Sequence, residues 1–584
     1  MNTKLRSRNA RSAGVQSAAI LFPLLLFVFG CVRPIDPPGP APSPDAARAE
    51  LPAIVPDVRE RLAQIPATEI DYDRSLLSAG ERAVVAKLIE AAKVVDRIFW
   101  LQVSEKNAEW NRMLESTAPV SPDHAAAWAY FHAMKGPWDR LAEDEPFLLA
   151  AGPKPPGAAY YPPDMTKEEL ERWLAEHPED EEAFRSLHTV IRRYGDRLAA
   201  VPYSTYYRGL LTEAAARMRE AAALTGEPTL RDFLEKRAEA FFTDDYYESD
   251  LAWMDLEGPI EVVIGPYEVY EDSLFNYKAA FESFITVVDR PESEKLAVYA
   301  QRLPDLERNL PIPDEHKNPN RGSESPIRVV QEIYTAGDAR SGVQTAAFNL
   351  PNDERVREAK GSKKVLLRNV MEAKFQKSGK PISERVLVPE QVGLVSNDAY
   401  FNHVLFHELT HGIGPGIIVT ASGERVDTRL LLKELYSPIE EAKADVTGIW
   451  SALHAMDRGW LAGFSREELY ATVVGMMFRS MRFGLDGAHG RGNAVQWNWF
   501  RERGAIAPAA NGRFRVEMAL MDEAVRSLAH ELLMIEATGD YDRARRLLER
   551  YGVTNAEIRG VIARLTDIPV DIRPVFVAAG ERMP

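Results

Sequence analysis

The chain of 584 residues contains one cysteine, Cys31. A single thiol excludes internal disulfides and any metal site built on paired thiolates. Positive charge is also short. Lys and Arg number 71 against 87 Asp and Glu, a net charge of −16, and this argues against a nucleic-acid partner because phosphate binding needs concentrated Lys and Arg. There is no internal repeat of solenoid period, no P-loop and no dinucleotide-binding fingerprint. Long apolar runs are absent too, apart from Ala18 to Phe29. What remains, 45% hydrophobic and 27% charged, suffices for a large core divided into more than one lobe.

The one apolar run is too short to span a bilayer comfortably and follows Lys4, Arg6, Arg8 and Arg11, the pattern of a signal peptide. Val28-Phe29-Gly30-Cys31 is similar to a bacterial lipobox, with Phe29 an atypical residue in it. The expectation is an exported protein of the bacterial cell envelope, in the periplasm or at the outer surface, lipid-anchored through Cys31. An ordinary cleaved signal and an uncleaved anchor are the alternatives.

The strongest signal lies between residues 407 and 450. In His407-Glu408-Leu409-Thr410-His411 the two imidazoles are four residues apart, so on a helix they project from one face toward one metal ion. Glu408 can reach a metal-activated water without being a ligand. Further on stands Glu440-Glu441-Ala442-Lys443-Ala444-Asp445, which supplies a carboxylate third ligand. Two His and one Glu leave the fourth position of a single Zn2+ open, the mark of a catalytic rather than a structural site.

Local capping signals assign the two glutamates different jobs. Ser396 or Asn397 can cap a helix ending at His411, before Gly412, Gly414, Pro415 and Gly416. Ser437-Pro438-Ile439-Glu440 reads as a capping box opening a second helix, which would occupy Glu440 with its own helix start. Glu441 is therefore expected as the ligand. Asp445 is expected to fix the tautomer of a ligand histidine, with Glu440 beside it as a second supporting carboxylate and the alternative ligand, and His403, one turn before His407, to be packed rather than ligating.

Coarse patterning divides the chain into five parts: a signal peptide with lipobox (1–31), a Pro-rich tether (32–56), a helical region (57–250), a β-rich unit (251–395) and a helical zinc lobe (396–584). Helix-spaced apolar positions mark Glu81 to Leu101, Lys167 to Glu176, Tyr206 to Ala223 and Thr229 to Phe242. Short β-type runs mark Ile260 to Ile264, Phe284 to Val288, Ile327 to Tyr334, Thr345 to Leu350 and Val365 to Val370. The fold class expected is α+β, mostly α. A helical zinc lobe faces a mixed lobe with a small β-barrel core, and the active-site cleft lies between them.

Beyond the zinc segments, several motifs in order make the chain resemble the dipeptidyl peptidase III family of zinc exopeptidases. They are Gly265-Pro266-Tyr267-Glu268-Val269-Tyr270-Glu271-Asp272, then Phe348-Asn349-Leu350-Pro351-Asn352-Asp353 with Gly361 to Val370, then Ala488-His489, and Thr538-Gly539-Asp540. The likeness is clear from about residue 225 to 551 and looser before it. It implies release of dipeptides from the N-termini of oligopeptides, with Glu408 as general base. It also implies Tyr270 and His489 as donors to the oxyanion, and Glu268, Asn349 and Asn352 as substrate-binding residues. On spacing alone, Glu268 and Tyr270 read as one face of a half-solvated strand, Asn349 and Asn352 as turn formers, and His489 as a surface histidine in a Gly-flanked loop. Most members of that family carry one extra residue between the two histidines; here the spacing is the ordinary pentapeptide. A thermolysin-like endopeptidase and a peptide-binding surface lipoprotein are the competing readings.

Overall fold

The computed structural model describes residues 51–317, 327–419, 423 and 425–583. Cys31, the signal segment and most of the tether lie outside the described residues. Chain packing starts at Ile54, which bridges to Leu148, so the stretch expected as a tether to Pro56 already joins the fold.

Strand β1 (Ala67–Ile70) leads into the long helix α1 (Ala79–Val103), which starts at a complete capping box of Ser78 and Glu81. Every three or four residues along α1 an apolar side chain is buried, from Val84 through Leu88, Val95 and Phe99, and this face packs on the sheet and on a later helix. Helix α2 (Pro122–Met134) follows, then α3 (Arg208–Leu224) and α4 (Pro228–Thr243), close to the helices expected from periodicity. The region expected to be mostly helical also holds two small hairpins, including Thr189–Tyr194 paired with Arg197–Pro202.

The β-rich unit contributes β2 (Ile260–Glu268), β3 (Ala280–Val288), β4 (Ile327–Gly337), β5 (Ala347–Leu350) and β6 (Lys363–Leu367). They form one mixed sheet in the order β2-β3-β4-β6-β5, with β4 and β6 parallel and the other pairs antiparallel. The small barrel expected here is this five-stranded sheet, whose outer strands β2 and β5 are both edges. All nine residues of β3 are buried, because α1 covers one side of the sheet centre. The run expected as a strand through Val370 ends at Leu367 and turns directly into a helix, Arg368–Lys374.

Beyond the sheet the chain is helical: α5 (Asn397–Thr410), α6 (Tyr436–Asp457), α7 (Ala488–Glu502) and α8 (Met518–Thr538). Finally, β7 (Arg573–Phe576) returns to pair in parallel with β1. Two large hydrophobic clusters underlie the two lobes. One joins α1, α3, α4 and the sheet; the other joins α5 to α8 and their connecting helices. Between Pro52 and Pro584 the chain forms one compact unit. Among the described residues no helix is long and apolar enough to cross a membrane.

Candidate metal centre

Helix α5 is capped as its sequence suggests: the Ser396 hydroxyl accepts from the Ala399 amide. Its buried face carries Leu405, Phe406 and Leu409 into the helical core and holds His407 beside them. The neighbouring helix departs from expectation. It starts at Tyr436, two residues earlier than Pro438, after a short helix Thr428–Leu432 and a 3-10 turn Lys433–Leu435. Ser437 therefore lies inside α6 and caps nothing, and no side chain caps its N-terminus. The chain reaches Tyr436 already helical, which removes the need for a capping box. Glu440, freed from that duty, points into the metal centre.

Helices α5 and α6 cross closely because position 448 is glycine. A Cβ there would stand 2.9 Å from the His407 backbone nitrogen, which no side chain tolerates without movement. That contact sets the three candidate ligands together. One ligand atom each from His407, His411 and Glu441 lies within 4.8 Å of the others. The two Nε2 atoms are 3.1 Å apart, and Glu441 Oε2 lies 3.4 Å and 3.9 Å from them.

The opposite nitrogens are held by carboxylates. Asp445 Oδ1 lies 2.8 Å from His407 Nδ1, and Glu440 Oε1 lies 2.8 Å from His411 Nδ1. Each Nδ1 faces a carboxylate, the arrangement that in a neutral imidazole presents Nε2 to a cation. Asp445 Oδ2 in turn accepts from Gln496 Nε2 at 2.9 Å, and Glu440 Oε1 also accepts from Lys443 Nζ at 2.9 Å. Burial opposes charge on His407, yet Asp445 and Glu441 outweigh it and push its pKa up to about 10. Burial likewise opposes ionisation of Glu441, and the facing imidazoles hold its carboxyl well below the usual range. Glu441 Oε2 is buried and has no partner in hydrogen-bond geometry among the described residues, although three imidazole nitrogens surround it. An orphaned carboxylate oxygen facing two imidazole nitrogens fits a divalent cation.

His403 is buried against the same carboxylate, with Nε2 3.6 Å from Asp445 Oδ1. Burial pushes its pKa down to about 4, so it sits neutral beside the site rather than in it. His489 is not in a loop. It occupies the first turn of α7, its side chain 64% exposed, with Nδ1 3.1 Å from Glu441 Oε2. The Glu441 carboxylate close to its Nδ1 raises its pKa.

His403, His407, Glu408, Asp445 and His489 line a cavity of about 320 Å³, whose far wall includes Ala346 and Ala347 at the start of β5. From the sheet, Lys364 on β6 donates from Nζ to the Glu408 carbonyl at 2.9 Å and stands 3.5 Å from Glu408 Oε2. Asn349 pairs with Lys364 in the β5–β6 register and therefore shares its face of the sheet.

The remaining expected residues gather at the far end of that strand. Asn352 Nδ2 donates to Glu268 Oε1 at 3.3 Å and to the Tyr267 carbonyl at 3.2 Å. Burial raises the Glu268 pKa, and Asn352 partly offsets it. Tyr270 follows β2 in a turn and is 77% exposed; the Glu268 charge, then burial, then Asp338 and Glu282 raise its pKa, so its hydroxyl keeps its proton. No hydrogen bond or ion pair among the described residues joins Glu268, Tyr270, Asn349 or Asn352 to the His407, His411 and Glu441 group. Sequence reasoning missed Lys364, Gln496, Gly448, Glu282 and Asp338. Gly448 alone left a trace: it lies two helical turns from Glu441, on the same face of α6.

Residues 159–477 match the model of Peptidase family M49. The solved structure of DPP III from Caldithrix abyssi superposes with a TM-score of 0.85 at 52% identity, covering 89% of this chain and 98% of that one. Dipeptidyl-peptidase III from Corallococcus sp. strain EGB gives 0.73 at 42% identity, covering 90% and 98%. A protein named Nudix hydrolase 3 from Arabidopsis thaliana is 37% identical over 554 residues, 86% of this chain and 72% of that protein. The family match contains His407, Glu408, His411, Glu441 and the sheet residues Glu268 to Asn352. The chain belongs to peptidase family M49, the dipeptidyl peptidase III family of enzymes.

Proposed function

We propose that this enzyme is a zinc-dependent exopeptidase that releases dipeptides from the free N-termini of oligopeptides. One observation carries the reading: a single stretch, 346–352, borders both halves of such a site. Ala346 and Ala347 line the pocket of His407 and Glu408, and Asn352 closes on Glu268. A peptide laid along the exposed edge of β5 would gain main-chain hydrogen bonds from that strand. Its N-terminal ammonium would meet Glu268, with Asp338 adding negative charge nearby. Strand β2 ends at Glu268 and is followed by a turn at Val269–Asp272.

His407, His411 and Glu441 would hold the zinc, which would supply a water activated near neutral pH and Lewis acidity. Glu408 takes the proton from the attacking water and hands it to the leaving amine. Lys364 fixes the end of α5 that carries Glu408. Tyr270 keeps its hydroxyl proton and His489 tends toward its charged form, so both can donate to the oxyanion. Asn349 and Asn352 offer amide groups to the backbone of a short peptide.

The test is product analysis by mass spectrometry on one free octapeptide and its N-acetylated twin, with zinc supplied. Sequential dipeptides from the free peptide alone support the reading. Equal internal cleavage of both peptides would make the enzyme an endopeptidase and remove the ammonium role of Glu268.

A further inference from the structure

A second cavity, of about 550 Å³, shares no lining residue with the metal pocket and is built from α2, β7 and the residues around Arg340. Part of its wall is apolar, from Trp128, Ala129 and Val575. The rest is cationic. Its two carboxylates are already engaged: Asp96 accepts from Lys135 at 2.6 Å, and Glu581 accepts from both terminal nitrogens of Arg340 at 2.8 Å. Arg573 is left over. Its side chain makes no hydrogen bond or ion pair among the described residues, and its Nε is buried away from solvent. Burial and then the nearby Arg340 guanidinium lower its pKa, so the fold bears a cost for keeping this cation there. His132 also lines the wall. Glu581, already bonded to Arg340, offsets only part of that cost, and a guanidinium whose buried Nε has no hydrogen-bond partner among the described residues, beside an aromatic and aliphatic wall, has the form of an anion receptor.

We propose that this cavity is a second ligand site, taking a small organic anion whose carboxylate or phosphate pairs with Arg573 and whose apolar body lies against Trp128 and Val575. Neither the metal centre nor the peptide-binding strand takes part, so the site stands or falls independently of the exopeptidase reading.

The test is isothermal titration of the zinc-loaded full chain with phenyl phosphate and with benzoate, in a buffer free of other multivalent anions. Saturable binding of one equivalent is expected for at least one probe. Arg573→Gln should weaken it by about tenfold or more, the usual consequence of losing a charged hydrogen bond, and Arg573→Lys should restore part of it. Ala129→Phe, which fills the cavity and leaves every charge in place, should abolish it. Phenyl phosphate alone would assign a phosphate ligand, benzoate alone a carboxylate, and both together an anion site without discrimination. The proposal is overturned if neither probe saturates, or if Arg573→Gln and Ala129→Phe bind as the parent does, which would put the anion elsewhere, including on zinc. Circular dichroism establishes that each variant is folded; should Arg573→Gln not fold, Ala129→Phe decides by the same two outcomes.

Discussion

Glu440 offers the sharpest test, because its sequence position and its structural position assign it different work. A capping glutamate would matter to helix stability and leave the metal untouched. In the fold its Oε1 accepts from His411 Nδ1 at 2.8 Å and from Lys443 Nζ at 2.9 Å, and α6 has no side-chain cap to lose. Glu440→Gln keeps an acceptor for His411 but removes the charge, which roughly halves the strength of such a hydrogen bond. Glu440→Ala removes the acceptor and lets the imidazole turn. Outer partners of metal-bound histidines are worth about 10- to 100-fold in metal affinity, or about 1.4 to 2.8 kcal/mol. The zinc Kd, measured by competition with a chelating dye at pH 7, should rise about tenfold in Glu440→Gln and toward a hundredfold in Glu440→Ala. The metal-free protein should also lose about 1.5 to 3 kcal/mol, since the nearly buried Lys443 gives up a charged partner. An unchanged zinc Kd in Glu440→Ala, with only a lower thermal midpoint, would refute the reasoning and return Glu440 to a purely structural role.

Four further outcomes follow from the same geometry. Glu408→Gln should bind zinc like the parent, by metal analysis, yet lose about 10² to 10⁴ in kcat; retained turnover would dismiss Glu408 as the base. Lys364→Met removes the sheet's hold on the end of α5, so kcat should drop by about tenfold while zinc content stays full; a parent-like kcat would make that contact incidental. Glu332 is buried and burial lifts its pKa from 4.5 to about 7, so the native state binds more protons than the unfolded chain between those values. Stability from this group is therefore present in acid and lost as pH rises through 7, by about 3 kcal/mol; Glu332→Gln should remove that slope in denaturant unfolding, and an unaltered slope would refute it. Export with a lipid anchor, read from Lys4 to Cys31, requires Cys31→Ser to abolish labelling by a fatty-acid analogue and to release the protein from membranes.

The metal motif was legible because its information is local. A four-residue spacing fixes two imidazoles on one helical face whatever surrounds them, and Ser396 caps that helix as its position suggests. Helices such as Lys167–Glu176 and α4 were readable for the same reason: one face must be apolar at a period near 3.6. Strand extents were less legible. β6 stops at Leu367, where Arg368 and Asn369 interrupt the apolar run and the backbone turns into a helix that packs Val370 into the sheet-lobe core and Met371 into the helical one. The Ser437-Pro438 signal misled because a preceding helix and 3-10 turn had already begun the winding.

The sequence by itself determined the ligand types, their pairing on two helices and the family those motifs belong to, since each depends on residues near one another along the chain. Tertiary structure alone decided how those helices meet. Gly448 lets α6 approach His407, Lys364 arrives from a strand of the other lobe, and Gln496 reaches Asp445 from a third helix. It also decided that Asn352 and Glu268, 84 residues apart, share one hydrogen bond, and that Arg573 is left unpaired in a cavity. Such contacts are set by packing between distant segments, where side-chain volume, backbone approach and desolvation act together, and no local spacing encodes them.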